Sequence, residues 1–277
     1  MVTAVAVWHK DRDPLLHAAL PLAFLLALFL FPVARFLLIS VDGGSLAQYE
    51  KALFDGLYLR VLADTFRIAL VVTLTTLILG YPVAYFLSVA SPLWATIGMA
   101  FLIIPFWTSV LIRTYAWSVI LGRNGVINRL LLSTGLVQEP LRLLNNEVGV
   151  LIGMVHVLLP YMVFPLYALM RRQDPTLLLA AEGLGASGLQ TFKKIFLPLT
   201  MPGILAGTTL VFVLSLGFFI TPAILGGGKV MMIAVLIEQQ VRELSNWQFA
   251  AALSTVLLGS ALAMYALLNI TLRTHRQ

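Results

Sequence analysis

Six apolar runs, each long enough to cross a hydrocarbon layer, constrain this chain more than any other feature: roughly Leu15 to Ile39, Phe66 to Ala90, Ala95 to Leu121, Val148 to Met170, Gly203 to Leu225 and Phe249 to Leu272. A spanning helix needs about 20 apolar residues. Lipid offers backbone amides no partner, so each run must close its own hydrogen bonds as a helix. With 60% of the 277 residues hydrophobic and only 11% charged, lipid is the solvent for most of the surface. The expected fold is an all-α integral membrane protein with six transmembrane helices, residues 1–277 forming one domain. The first run follows Lys10 and Arg12 as a secretory leader would, yet it is too long and lacks a small-residue cleavage site, which predicts an uncleaved anchor. The chain has no cysteine, which removes disulfide and thiolate chemistry. In a membrane protein a net charge of +6 is met by lipid headgroups and calls for no nucleic acid.

The connection between the fourth and fifth runs, RRQDPTLLLAAEGLGASGLQTFKKIFLPLTMPGI from Arg171 to Ile204, is polar and doubly capped. Asp174 can accept from the first free amides of a helix, and Pro175 suits the first helical position. Gly185 can end that helix in a left-handed cap, after which Ser187 and Gln190 have the spacing of a capping box. A second short helix is expected to run toward Ile195, with Pro198 and Pro202 bracketing the return into the membrane. Two short helices at a glycine corner then project as a knob, with Arg171, Arg172, Lys193 and Lys194 at its roots.

The run Ala180, Ala181, Leu184, Gly185, Ala186, Phe192, Ile195, Leu197 and Pro198 resembles the EAA loop of permease subunits of ATP-binding-cassette (ABC) importers. Where that family has Glu before the alanine pair, this chain has Leu179, and Glu182 stands three residues later. Further similarity lies in Ile104 to Ser109, in Arg113 to Trp117, in Asn124, Gly125 and Asn128, and in Trp247 to Ala252. These resemble the first permease of spermidine/putrescine-type importers, and the likeness covers most of the chain after Thr65. The resemblance implies a bacterial inner-membrane permease with both termini cytoplasmic and a coupling loop at about residues 171–200. It implies two copies of a cytoplasmic ATP-binding subunit, a second homologous permease and an extracytoplasmic solute-binding protein. ATP would be bound by those partner subunits and a polyamine carried. The coupling residues it implies are Ala180, Ala181, Glu182, Gly185, Ala186, Phe192 and Pro198. Charge alone does not settle the topology, because basic residues flank both faces.

The remaining motifs point away from catalysis. Gly226, Gly227, Gly228 and Lys229 invite comparison with a phosphate loop, but Val230 replaces its Ser or Thr and Ala223 its first Gly. The four histidines, His9, His17, His156 and His275, are scattered, and no zinc signature is present, so neither a catalytic nor a metal site is expected. His156 is read as a hydrogen-bonding partner for a neighbouring helix. Arg113 either lines the solute path or meets a carboxylate of the partner permease, or else snorkels to the headgroups. Trp107, Tyr115 and Trp117 either flank the path or form an interfacial aromatic belt. The pairs Gly149 and Gly153, and Gly203 and Gly207, have the spacing that lets helices approach closely. Asp42, Gly43 and Gly44 make a turn at the start of an outer loop of mixed charge over residues 41–64. Residues 125–135 read as an interfacial helix, with Val126, Ile127, Leu130 and Leu131 on its apolar face and Asn128, Arg129 and Ser133 away from it. Ile233 to Val241 is apolar but too short to cross. An ion-coupled secondary transporter is the competing class, but it needs intramembrane acids that these runs lack.

Overall fold

In the computed structural model, residues 14–41 and 45–274 are described. The Asp42 turn and the basic residues before the first span lie outside them. Among the described residues every regular element is a helix: α1 Pro14–Leu25, α2 Phe31–Ile39, α3 Ala47–Phe54, α4 Gly56–Val89, α5 Pro92–Phe106, α6 Val110–Leu121, α7 Val126–Ser133, α8 Glu147–Met170, α9 Pro175–Gly183, α10 Gly188–Thr191, α11 Leu197–Leu216, α12 Ile220–Leu225, α13 Ile233–Arg242 and α14 Trp247–Thr274. Five helical stretches are long and apolar enough to cross a membrane, and Pro92–Phe106 with the bent continuation Val110–Ser133 makes a sixth when the pair is counted as one broken span.

The third crossing is therefore not the straight run from Ala95 to Leu121 that hydropathy suggests. It breaks after Phe106 and turns by 99°. The break has a local cause. Pro105 lacks an amide proton and its carbonyl accepts from Thr108 N–H at 3.0 Å and Thr108 Oγ1 at 2.6 Å, which closes the helix. Ser109 then starts α6 by accepting from Leu111 N–H at 3.3 Å. The fifth crossing likewise stops at Leu216 rather than Leu225, and α12 follows as a separate short helix after Gly217.

The loop expected over 41–64 is mostly helical. α3 occupies Ala47–Phe54, and α4 begins at Gly56, ten residues before the apolar run. Asp55 caps it, accepting from Leu57 N–H at 2.9 Å. At 34 residues, α4 spans about 51 Å at 1.5 Å per residue, so its first turns extend past the lipid.

Helices α4, α8 and α11 form the centre. Arg67 near the start of α4 pairs with Glu147 at the start of α8 through two 2.7 Å bonds, while Arg171 just past α8 donates to Ser88 O near the end of α4 at 3.3 Å. α4 and α8 thus run parallel. Phe212, late in α11, lies 6.1 Å from Phe66, early in α4, so α11 runs antiparallel to both. Met162 is fully buried where the three meet, opposite Gly80 of α4 and Gly207 of α11. A Cβ on Gly207 would stand 2.7 Å from Met162 Sδ and 3.2 Å from Met162 O, and one on Gly203 3.1 Å from Leu169 Cδ2. Both glycines of that pair serve packing within the chain. Gly207→Val is expected to lower stability by roughly 1–3 kcal/mol through overpacking, seen as a lower thermal midpoint in detergent.

α13 is short, as its length predicts, and lies against α14 and α4. Thr65 Oγ1 accepts from Ile233 N–H at 2.9 Å and donates to Val61 O at 2.7 Å, fixing the start of α13 to α4. α7 also forms where expected, and Asn128 alone departs from the expected faces. Asn128 is fully buried: its amide donates to Gly122 O and Leu141 O at 3.0 Å each and accepts from Leu141 N–H at 2.8 Å. Val126 and Leu130 are exposed, as the apolar face of an interfacial helix is, and so are Arg129 and Ser133. The primary amide can satisfy three backbone groups of the enclosing loop, and that gain outweighs burying two more aliphatic side chains already acceptable to lipid.

Candidate functional site

The segment from Arg171 to Phe196 leaves the bundle as an elbow. Asp174 accepts from Thr176 N–H at 2.9 Å and starts α9. That amide, with the Thr176 side chain, holds the Asp174 carboxyl below its usual range. The cap is therefore present above the ordinary carboxylate range and is lost as pH falls through the lowered value. At the far end Gly185 N–H donates to Glu182 O at 2.9 Å and Ala186 N–H to Ala181 O at 3.0 Å, with Gly185 at φ +84°. This is a complete Schellman closure, which needs a left-handed residue and so a glycine. Ser187 and Gln190 make the reciprocal capping box at 2.9 and 3.4 Å.

The second short helix is not independent. α10 passes through a π turn at Phe192–Phe196 straight into α11, one stretch from Gly188 to Leu216. Pro198 explains the π turn. It has no amide for Lys194 O and its ring would strike that carbonyl, and the wider turn, with Leu197 N–H donating to Phe192 O, relieves the clash. The turn at Leu26–Leu30 stands in the same relation to Pro32. Pro198 and Pro202 accordingly lie inside a continuing helix rather than bracketing a re-entry. The elbow is one short helix set against the protruding end of the fifth crossing.

Two faces of the elbow differ in chemistry. On the inner side Ala181 is buried, and Leu178 and Phe192 pack on the main core. Phe192 and Phe196 stack at 5.9 Å, and each meets a tyrosine of α4 edge-on, Tyr81 at 6.2 Å and Tyr85 at 5.2 Å. Tyr81 OH also shares a 3.0 Å hydrogen bond with Thr200 Oγ1. This four-ring ladder ties the elbow to α4 and α11 together. On the outer side Leu177, Leu179, Leu184 and Leu189 are exposed, Leu184 to 90%, alongside exposed Ala180, Glu182 and Gly185. Leu177, Leu179 and Leu184 stand on a segment outside the apolar crossings. Of the four small residues of the elbow, Ala181 is buried within the chain, Ala186 is partly buried, and Ala180 and Gly185 are exposed. The sequence reading passed over the leucines because in so apolar a chain they carry no contrast.

The residues considered for the solute path separate. Arg113 is only 8% exposed and lies one turn before Trp117 on α6. Trp117 stands edge-on to His156 at 5.5 Å. Tyr115 is exposed on the opposite face of α6, and Trp107, at the break, is 81% exposed beside Phe106. Arg113 Nε and Nη1 are enclosed by the chain. One cleft of about 190 Å³ was not foreseen. Packing of α13 beside α12 brings Glu238, Gln239 and Glu243 around it with Pro222 and Met231.

Among the described residues, five apolar crossings, or six with the bent pair counted as one, and a capped elbow leading into α11 define an all-helical multi-pass membrane protein. The chain belongs to the family described as binding-protein-dependent transport system inner membrane component, which matches residues 43–275. It is 42% identical over 224 residues to the spermidine/putrescine transport system permease protein PotB of Escherichia coli K12, covering 80% of this chain and 81% of that one. It is 31% identical over 221 residues to the inner membrane ABC transporter permease protein YdcU of the same strain, covering 74% and 69%. Among solved structures, a bacterial ABC transporter involved in import of the acidic polysaccharide alginate superposes with a TM-score of 0.71 at 18% identity, covering 94% of this chain and 95% of that one, which shows the shared fold. The chain is thus a multi-pass inner-membrane permease subunit of an ABC importer, a transport component rather than an enzyme.

Proposed function

We propose that this chain forms half of the translocation pathway of a polyamine importer, paired with a second homologous permease and driven by two copies of a cytoplasmic ATP-binding subunit seated on the elbow. The supporting observation is the 42% identity, sustained over 80% of the chain, to a spermidine/putrescine permease. Both termini and the elbow lie on the cytoplasmic side in this reading. The opposite face, with α7 and α13, receives an extracytoplasmic solute-binding protein. ATP closes the two motor subunits, the elbow is carried with them, and the ladder of Tyr81, Tyr85, Phe192 and Phe196 passes the movement to α4 and α11. Trp107 and Tyr115, exposed on the chain's surface, are the side chains available to a path shared with the second permease.

Mild detergent extraction and affinity purification test this directly. A second permease and two ATPase copies per complex are expected to co-purify, and reconstituted complex should take up putrescine or spermidine only with ATP and the binding protein. Solute-driven proton flux by this chain alone would instead mark an ion-coupled carrier. Within the elbow, Gly185→Val meets no crowding, because a Cβ there has no atom within 4 Å. It does force a β-branched residue to φ +84°, a strain of roughly 1–3 kcal/mol. Membrane insertion is expected to stay intact while uptake falls about tenfold. Unchanged uptake removes Gly185 from the working parts of the elbow.

A further inference from the structure

The membrane-embedded cluster around Arg113 is not explained by packing. Two of its guanidinium nitrogens, Nε and Nη1, are shut off from solvent without a hydrogen-bond acceptor among the described residues, and so is Nδ1 of His156. His156 lies nine residues and Tyr161 fourteen residues into α8, roughly 14 and 21 Å along the helix from Glu147, so the cluster is deep in the bundle and not at its rim. The ion pairs among the described residues involve Arg67 and Arg242 and leave Arg113 out. An intramembrane guanidinium is retained where it meets an anion. His156, half-buried and with an unpartnered ring nitrogen, adjoins the same face of α6, because Trp117, one turn after Arg113, stands edge-on to it at 5.5 Å.

We propose that Arg113 and His156, walled by Trp117 and Tyr161, form a binding site for one carboxylate group at mid-depth in the permease. The planar guanidinium is suited to a planar two-oxygen anion, and the imidazole adds a hydrogen bond from the side. Two sources carry that chemistry: an acidic side chain of the second permease, which seats as the pair assembles, or a carboxylate on the transported solute. This inference rests on the reading of the chain as one of two paired permeases.

The test uses the complete importer in nanodiscs and proteoliposomes, with Arg113→Met and Arg113→Lys, and with putrescine and ornithine as probes, which differ by one carboxylate. If the second permease supplies the group, Arg113→Met lowers recovery of that subunit, or uptake of both probes, at least tenfold, and Arg113→Lys restores part of it. If the solute supplies it, assembly is unchanged and ornithine uptake alone falls at least tenfold. Where the wild type carries only putrescine, the assembly and putrescine readouts decide. Assembly and uptake of both probes within twofold of wild type overturn the proposal. So does equal loss of membrane-inserted chain for both variants, since that assigns Arg113 to folding. If the wild type recovers no second permease at all, the paired reading fails; if it does and Arg113→Met has no effect, only the carboxylate site fails.

Discussion

An importer carrying Leu184→Glu is expected to insert and fold as the wild type does, yet to lose about 100-fold in its apparent affinity for the ATPase subunit, with solute-stimulated ATP hydrolysis falling in step. The first half follows from exposure: Leu184 is 90% exposed at the Schellman turn, where its backbone and not its side chain makes the closing bonds. Substitutions at such surface positions usually move stability by no more than about 0.5 kcal/mol. The second half follows from docking. A leucine seated in a partner's cleft contributes roughly 1.5–3 kcal/mol of apolar burial. A carboxylate in its place adds a desolvation penalty of several kcal/mol unless a cation happens to face it. A loss of about 2.7 kcal/mol already corresponds to the 100-fold change.

Glu182→Gln provides the contrast. Glu182 is exposed and makes no ion pair among the described residues, and an exposed charge contact is worth about 0–1 kcal/mol, so less than about a fivefold change is expected. Leu179, where the resemblance would place an acidic residue, is exposed, as are Leu177 and Leu184. Stoichiometric ATPase recovery and full uptake by Leu184→Glu would show that the tip is not the docking surface.

Hydropathy found the crossings because lipid enforces long apolar helices, and it placed the fourth to within a residue, Val148 against Glu147. It could not see the break at Trp107, since the residues on both sides are equally apolar; Pro105 and the Thr108, Ser109 cap carry that signal, and they are local stereochemistry rather than hydrophobicity. The same blindness hid the amphipathic start of α4, where Asp55 was the clue. At the elbow, capping chemistry was legible residue by residue: Asp174, Gly185, Ser187 and Gln190 all take the roles their types dictate. The anchor was not legible, because the meeting of Phe192 and Phe196 with Tyr81 and Tyr85 joins positions more than 100 residues apart. Asn128 misled for a related reason. Its polarity reads as outward-facing until the loop at Leu141 arrives to take its hydrogen bonds.

Phe196→Ala is expected to separate the motor from the pump. Phe196 is buried at the joint where the π turn meets α11, stacked on Phe192 and edge-on to Tyr85. Removing a buried phenyl ring of this kind costs about 3–5 kcal/mol, and here the cavity opens between the elbow and α4 and not at the docking surface. Moving a two-state assembly from 1:99 to 99:1 takes about 5.5 kcal/mol of differential binding, all of which must pass through this joint if the elbow is the lever. A joint that yields at about 3 kcal/mol lets the elbow follow the ATPase while the bundle stays behind. The variant should therefore retain stoichiometric ATPase and hydrolyse ATP at rates within a few-fold of wild type, while uptake falls at least about 50-fold. Phe196→Leu, which refills most of the volume without the edge contact to Tyr85, should recover much of the uptake. If uptake and hydrolysis fall together in Phe196→Ala with the complex still assembled, movement reaches the bundle by another route, and the aromatic ladder is only a packing element.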